Sequence, residues 1–184
     1  VCLQGSDSAI VVNNIISDNN NHGIYVNSSD YIIIDINTIL NNTDGVYLYT
    51  SNSTDITYNT ISNNNSEGVY SNGHNDNSEI ENNRITDNNS YGVYLNEDND
   101  NVDIENNTIS ENNGYGVYLN QQNDNVDIEN NTILNNYSSG IYLNEYNGNF
   151  DILDNTISNH FSYGIFTLNR GNYGDVIENL IVNN

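Results

Sequence analysis

The sequence predicts an all-β solenoid of about eight stacked coils, each with 22–24 residues and three short strands. The first observation is an asparagine that recurs with successive spacings of 23, 22, 24, 24, 24, 24 and 24 residues, at Asn14, Asn37, Asn59, Asn83, Asn107, Asn131, Asn155 and Asn179. The second is a glycine with the same period, at Gly23, Gly45, Gly68, Gly92, Gly116, Gly140 and Gly164. The third is a composition rich in Asn, Gly and β-branched residues, which disfavour helix interiors and so exclude a helical solenoid.

Three short runs in each period alternate apolar and polar residues, as strands with one buried face do. In one coil these runs are GVYL at 116–119, VDIE at 126–129 and NTIL at 131–134. The residues predicted to point inward are Val117, Leu119, Val126, Ile128 and Ile133. Because strands of about four residues cannot bury a core alone, we expect coils stacked at roughly 4.8 Å to share one continuous core.

The repeated glycine follows a polar run and precedes the first strand of each coil, as in ENNGYG at 111–116. We predict that it lies in a turn that needs a positive φ angle, which glycine adopts without strain. The leucine pattern of a leucine-rich horseshoe is absent from the sequence.

This pattern resembles the right-handed parallel β-helix repeats of the pectate-lyase-like superfamily, and most of all the Asn-rich NosD-like repeat proteins of archaeal and bacterial surfaces. The resemblance extends from about Ile10 to Asn184 and implies a single right-handed parallel β-helix domain over residues 1–184. It also implies that the asparagines first described form a buried ladder in the turn between the second and third strands. A second ladder is predicted five residues later, at Asn19, Asn42, Asn64, Asn88, Asn112, Asn136, His160 and Asn184. Stacked buried amides would satisfy one another's hydrogen bonds.

Charge limits the partners of this chain. It has 25 acidic residues against two basic ones, Arg84 and Arg170, and a formal net charge of -23. Nucleic-acid binding requires Lys and Arg at the phosphates and is therefore excluded, and anionic membranes are unsuited for the same reason. No apolar run is long enough to insert into a membrane. Self-repulsion of this size predicts stabilisation by salt or cations.

One outward aromatic per coil is predicted on the first strand. We name this set the tyrosine stripe: Tyr25, Tyr47, Tyr70, Tyr94, Tyr118, Tyr142 and Phe166. Tyr91, Tyr115 and Tyr163 lie beside it near the glycines. Mutual stacking, lateral contact with another protein and a platform for sugar rings are the alternatives for this surface.

Outward carboxylates dominate the second strand. The metal ligands predicted there are Asp103, Glu105, Asp127 and Glu129, and Ca²⁺ is the hard cation that suits them. A solvated acidic face without a bound ion is the alternative, because the EF-hand glycine and the glycine-rich calcium nonapeptide are both absent. We expect no cofactor to be required.

Glycosylation sequons are frequent in this chain. The sites predicted to be accessible in an exported protein are Asn27, Asn52, Asn106 and Asn130. Sequons that fall within the ladders should be inaccessible, namely those at Asn64, Asn88 and Asn136.

No catalytic residue is predicted. NTDG at 42–45 resembles the first catalytic motif of polygalacturonase-like glycosidases, but the Asp pair, the Gly-His-Gly and the Arg-x-Lys that should follow are absent. Glycoside hydrolysis needs two carboxylates, and Asp44 aligns with Glu67 and then Tyr91, which indicates turn variation. The histidines lie in different coils and at different places in the repeat: His22, His74 and His160.

These inferences favour a non-catalytic structural protein located outside the cell or on its surface. Its ends are predicted to be uncapped, so copies of the chain would stack head to tail into a filament or layer and pack laterally through the tyrosine stripe. The alternative is a carbohydrate-binding or carbohydrate-modifying β-helix module, similar to a lyase or hydrolase, with glycan partners and its active part outside this segment.

Overall fold

The computed structural model describes residues 1–168 and 171–184, so Arg170 lies outside the described residues. Three parallel sheets of eight strands each make up the fold, and the described residues contain no helix. The predicted all-β solenoid with three strands per coil is therefore confirmed. Within these residues, no helix has the length and apolarity needed to cross a bilayer.

The strands follow one another in the same order in every coil. In chain order they are β1 (Cys2–Gln4), β2 (Ile10–Val12), β3 (Ile15–Ser17), β4 (Ile24–Asn27), β5 (Ile32–Asp35), β6 (Thr38–Leu40), β7 (Val46–Tyr49), β8 (Thr54–Thr57), β9 (Thr60–Ser62), β10 (Val69–Asn72), β11 (Glu79–Glu81), β12 (Arg84–Thr86), β13 (Val93–Asn96), β14 (Val102–Glu105), β15 (Thr108–Ser110), β16 (Val117–Asn120), β17 (Val126–Glu129), β18 (Thr132–Leu134), β19 (Ile141–Leu143), β20 (Gly148–Leu153), β21 (Thr156–Ser158), β22 (Ile165–Thr167), β23 (Tyr173–Ile177) and β24 (Leu180–Val182).

Each sheet collects equivalent strands of successive coils. Sheet 1 holds β1, β4, β7 and every third strand to β22, sheet 2 runs from β2 to β23, and sheet 3 runs from β3 to β24. The register aligns like with like, so Tyr94 pairs with Tyr118 and Ile109 with Ile133. Each side chain therefore belongs to a column that runs along the solenoid axis.

The apolar core consists of these columns. Val117 and Leu119 of sheet 1, Val126 and Ile128 of sheet 2, and Ile133 of sheet 3 are all fully buried, as predicted. Buried residues from Val11 to Ile157 form one continuous cluster. Sharing a core between coils lets strands of three to four residues bury their apolar side chains.

Two residues connect the second strand of a coil to the third, and longer turns follow the first and third strands. At each corner, a residue with positive φ precedes an inward-facing polar residue, as Asn106 (φ 54°) precedes Asn107 and Glu111 (φ 59°) precedes Asn112. Asparagine tolerates this left-handed conformation better than most residues, which helps to explain its abundance in the chain.

The prediction of positive φ at the repeated glycine is wrong. None of these seven glycines has a positive φ angle. Their backbone packs against the next coil instead: a Cβ atom on Gly116 would lie 2.6 Å from the carbonyl oxygen of Gly140 and 2.6 Å from Cγ2 of Ile133. The position therefore requires glycine because no volume is left for a side chain.

The first predicted asparagine ladder occupies the turn between the second and third strands. Asn107 Nδ2 donates to Asn131 Oδ1 at 3.1 Å and to the carbonyl oxygen of Ile80 at 2.7 Å. Its Oδ1 accepts from Nδ2 and the backbone N–H of Asn83, at 3.1 and 2.9 Å. The same hydrogen bonds satisfy the buried amide and backbone groups of this corner in successive coils.

The second ladder lies between the third strand and the next first strand. Asn112 Nδ2 donates to Asn136 Oδ1 at 3.0 Å, and His160 then takes the place of an asparagine. Its Nδ1 accepts the backbone N–H of Asn136 at 3.2 Å, and its Nε2 lies 3.1 Å from the carbonyl oxygen of Ile133. This environment fits the neutral tautomer with the proton on Nε2, and burial lowers the pKa of His160.

Sequence reasoning missed a third ladder, between the first and second strands. Its members are Ser29, Ser51, Asn75, Asn99, Asn123, Asn147 and Asn172, and Asn99 Nδ2 donates to Asn123 Oδ1 at 3.0 Å. The 24-residue spacing from Asn75 to Asn147 was the available signal. All three corners of the central coils are thus held by stacked amides.

Candidate functional site on sheet 1

The tyrosine stripe lies on the outward face of sheet 1, where each of its members is half-buried. The rings of Tyr70, Tyr94 and Tyr118 stack in parallel, with centroids 4.9 Å apart and planes within 7°. Because each ring covers part of the next, the middle of the stripe offers ring edges and hydroxyls more than open ring faces. A flat platform for sugar rings therefore does not form there.

A second row of rings borders the stripe. Tyr91 and Tyr115 stack at 5.3 Å, and Tyr91 meets Tyr94 nearly edge-on at 5.3 Å and 72°. Tyr163 stacks on Phe166 at 5.1 Å. The two rows make sheet 1 the aromatic face of the solenoid.

A column of asparagines follows the tyrosines at the end of the sheet 1 strands. We name it the amide column: Asn72, Asn96, Asn120 and Asn144. Its members are linked by Nδ2 to Oδ1 hydrogen bonds of 2.9, 2.7 and 2.6 Å. The hydroxyls of Tyr94 and Tyr118 donate to Asn96 and Asn120 Oδ1 at 3.0 and 3.1 Å. The result is a row of phenols and amides that repeats once per coil.

Tyr70, Tyr94 and Tyr118 remain protonated at neutral pH. Burial, with a smaller contribution from neighbouring tyrosines, raises the pKa of Tyr70 and of Tyr94 to about 12. The pKa of Tyr118 is raised for the same reasons. These side chains are therefore neutral groups that can donate and accept hydrogen bonds.

Three titratable side chains meet where the stripe passes the early coils. We name them the His22 cluster: His22, Asp44 and Glu67. Nδ1 of His22 lies 2.6 Å from Oδ2 of Asp44, whose side chain is 6% exposed. The His22 ring stacks on Tyr47 at 4.6 Å. His22 therefore has a carboxylate partner that comes from the next coil.

Glu67 completes the His22 cluster. Its backbone N–H donates to Oδ1 of Asp44 at 3.2 Å, and the hydroxyl of Ser90 donates to Glu67 Oε1 at 2.8 Å. Ser66 also bonds to the Glu67 carboxylate. Burial is the main cause that raises the pKa of Glu67, and the Asp44 carboxyl raises it further. Adjacent carboxyls beside a histidine can hold and transfer a proton. The sequence-based interpretation of Asp44 and Glu67 as turn variation did not predict this arrangement.

The other two histidines lie apart from this cluster. His74 is exposed, with Nε2 at 3.9 Å from Oδ2 of Asp98, and His160 belongs to the second ladder. Among residues 1–168 and 171–184, no group of three or more His, Cys, Asp or Glu side chains has an arrangement that could hold a metal ion.

The four predicted Ca²⁺ ligands occupy two neighbouring coils of sheet 2. Asp103 pairs with Asp127 and Glu105 with Glu129, and all four side chains are half-buried. Burial raises the pKa of Asp103, Glu105 and Asp127, and like charges on neighbouring coils add to it for Glu105 and Asp127. Calcium binding there stays a prediction.

We expect the protein to be more stable at mildly acidic than at neutral pH. Since folding raises these pKa values, the unfolded chain releases protons first as pH rises. The free energy of unfolding should therefore fall from the reference carboxyl pKa values of 3.8 and 4.5 upward, through the raised values of the folded state. Thermal unfolding followed by circular dichroism across this range, with and without added NaCl, measures the effect, and salt should raise the melting temperature at neutral pH.

His160 opposes this trend and provides the control. Because its pKa is lowered on folding, the unfolded state takes up a proton more readily as pH falls below 6.5, which costs stability. His160→Asn removes that contribution, so the acidic gain should be larger in the variant. A melting temperature that rises steadily from acidic to neutral pH in both proteins would contradict the prediction.

Two of the predicted glycosylation sites are exposed and two are not. Asn106 and Asn130 are exposed at corners, whereas Asn27 and Asn52 are half-buried. Asn52 Oδ1 also accepts the backbone N–H of Asp76 at 2.9 Å. The ladder sequons are buried, at Asn64, Asn88 and Asn136. Modification of the four predicted sites stays a prediction.

Comparison with known proteins identifies the fold of the whole chain. A family model described as a right handed beta helix region matches residues 1–76 and 33–184. Among curated proteins, no sequence matches the chain significantly.

Three solved structures illustrate the similarity. The periplasmic alginate epimerase AlgG has a TM-score of 0.91 and 16% identity over 98% of this chain and 47% of its own. The mannuronan C-5 epimerase AlgE4 A-module of Azotobacter vinelandii has a TM-score of 0.86 and 20% identity over 96% and 54%. Dettilon tailspike protein gp208 has a TM-score of 0.76 and 16% identity over 88% and 37%. This chain thus spans about half or less of each, and such low identity shows the fold alone.

Proposed function

Because the chain belongs to the right-handed β-helix family, we propose that it is a carbohydrate-binding module located outside the cytoplasm, which holds a polysaccharide along sheet 1. Two of the similar structures are alginate epimerases, and these support a carbohydrate role more than a filament role. The observation that carries the proposal is the row formed by the tyrosine stripe and the amide column.

The row of phenols and amides suits a polymer that carries hydroxyl groups on every repeating unit. Each coil repeats one phenol and one amide, and coils recur at roughly 4.8 Å along the axis. One sugar of an extended β-1,4-linked chain advances by a similar distance, so successive sugars would meet equivalent groups. Phenols and amides both donate and accept, which lets each pair satisfy a sugar hydroxyl in either role. The ring edges supply apolar contact beside these polar groups.

The test compares two double variants on insoluble and soluble glycans. We expect Tyr94→Ser with Tyr118→Ser to weaken glycan binding by about tenfold or more, equal to a loss of about 1.4 kcal/mol. The matched control is Tyr31→Ser with Tyr58→Ser, because these two tyrosines are 66% and 63% exposed at corners away from the stripe. Affinity electrophoresis would measure both. Equal losses in the two variants would contradict the proposed surface.

A carbohydrate-modifying role is the second candidate, and the His22 cluster favours it. Asp44 and Glu67 are close enough for the charge of one to raise the pKa of the other, and His22 lies against Asp44, so an acid and a base are available together. Chromatography of glycans incubated with the protein and with Glu67→Gln tests this role. New products that the variant fails to form would support it.

Head-to-tail assembly into a filament, the main expectation from the sequence, has less support than the carbohydrate role. Electron microscopy of the purified protein over a range of concentrations tests it directly. In the Tyr94 and Tyr118 double variant, loss of bundling with intact glycan binding would instead assign the stripe to contact between copies of the chain.

A further inference from the structure

Carboxylates flank the tyrosine stripe on both sides. Asp44 and Glu67 lie before the strands of sheet 1, whereas Glu97 and Asp98 directly follow β13 and Asn96 of the amide column. The negative charges of Glu67, Asp44 and Glu97 all contribute to raising the pKa of Tyr70, after burial and the neighbouring Tyr47. The middle of the proposed binding surface is therefore within the electric field of carboxylates from both sides.

No lysine or arginine lies on this face in the described part of the chain. Arg84 begins β12, and its exposed side chain lies on sheet 3. The sequence contains no lysine, and the formal net charge is -23. A ligand with a carboxylate on every sugar would bring like charges together along several coils, which costs affinity at each coil.

Resting on the proposed carbohydrate role, we infer that the preferred ligand of sheet 1 is a polysaccharide with ammonium groups, that is, a polymer of amino sugars, rather than a neutral or a uronic-acid polymer. Its hydroxyls would bond to the phenols of the tyrosine stripe and to the amides of the amide column. Its ammonium groups would bond to the more accessible flanking carboxylates, those of Glu67, Glu97 and Asp98.

The His22 cluster shows what such a group would gain. Glu67 and Asp44 lie side by side, and His22 bonds to Asp44, whereas the Glu67 carboxylate bonds to the hydroxyls of Ser66 and Ser90. An ammonium group beside Glu67 would offset the repulsion from Asp44 and favour the ionised form of Glu67, because an opposite charge at short range favours the charged form of a carboxyl. A neutral sugar offers hydroxyls but not this compensation.

The test uses four β-1,4-linked hexamers that differ in charge: glucosamine, N-acetylglucosamine, glucose and glucuronic acid. Isothermal titration calorimetry at mildly acidic pH and near-physiological salt would give each affinity. We expect the glucosamine hexamer to bind about tenfold more tightly than the two neutral hexamers, and the glucuronic acid hexamer to bind most weakly.

A pair of charge-matched variants separates local recognition from general attraction to an acidic protein. Glu67→Gln with Glu97→Gln should bring the affinity for the glucosamine hexamer down to that for the glucose hexamer, which removes the preference. The control is Glu79→Gln with Glu105→Gln, which removes the same charge from the outward face of sheet 2 and should keep the preference. An equal loss of preference in both variants would assign it to net charge and overturn the inference.

The remaining outcomes distinguish the inference from the proposal beneath it. If the neutral or glucuronic acid hexamer binds at least as tightly as glucosamine, and the Tyr94 and Tyr118 double variant weakens that binding, the carbohydrate role stands and the amino-sugar preference is wrong. If none of the four hexamers binds, the carbohydrate role itself fails, and the preference fails with it.

Discussion

Replacing Asn107 with alanine is expected to lower the free energy of unfolding by about 4 kcal/mol, because several buried hydrogen bonds lose a partner together. The substitution would orphan the backbone N–H of Asn83, which bonds to Asn107 Oδ1 at 2.9 Å, and the carbonyl oxygen of Ile80 at 2.7 Å. Both groups lie in the interior, where water cannot replace the amide. Urea unfolding followed by circular dichroism would measure the loss.

The control for Asn107 is an exposed asparagine with a similar partner. Asn113 Nδ2 donates to Asn89 Oδ1 at 2.7 Å, but both side chains are exposed to solvent. We expect Asn113→Ala to change the free energy of unfolding by less than about 0.5 kcal/mol. Similar losses in the two variants would mean that burial is not what makes the ladder stabilising.

Replacing Gly116 with alanine is expected to cost about 3 kcal/mol or more, because a Cβ atom there would overlap a neighbouring coil. The nearest atoms would be the carbonyl oxygen of Gly140 and Cγ2 of Ile133, each at 2.6 Å, and Nδ2 of Asn136 at 2.9 Å. Relief requires the two coils to separate, which would also lengthen their hydrogen bonds. The same urea unfolding experiment measures this cost.

Gly73 provides the contrast, because it has a positive φ angle and open space around it, whereas Gly116 has neither. Its φ angle is +65°, and no atom would lie within 4 Å of an added Cβ. Gly73→Ala should cost about 1–2 kcal/mol, the penalty of the left-handed conformation alone. A larger loss at Gly73 than at Gly116 would refute the explanation by close packing.

The fold could be predicted from the sequence because its information is periodic. The columns of Val117, Ile128 and Ile133 each repeat once per coil, so their burial follows from spacing and alternation. The asparagine ladders follow from the same period. The role of Gly116 could not be predicted, because a sequence does not give the distance between one backbone and the next.

The candidate site was less predictable because it depends on contacts between unlike residues. Asp44, Glu67 and Tyr91 occupy equivalent positions in successive coils, which indicated turn variation, and His22 holds the same position one coil before Asp44. In a solenoid, equivalent positions of successive coils are spatial neighbours. Different residues at one position of the repeat therefore lie in contact and form the cluster. Ring orientation at Tyr94 and Tyr118 likewise depends on packing that no periodicity encodes.

The buried ladders also have a direction. Asn107 donates its Nδ2 to Asn131 in the following coil, and Asn99 and Asn112 do the same in the other two ladders. The amide column runs the opposite way, since Asn120 Nδ2 donates to Asn96 in the preceding coil. Aligned amide dipoles add and polarise one another, so the interior carries a permanent dipole along the axis, and the surface row carries one in the reverse sense. A polysaccharide also has two chemically different ends. A polysaccharide bound along sheet 1 would therefore lie against a row of side chains with a directional dipole, and one orientation of its two ends would be preferred.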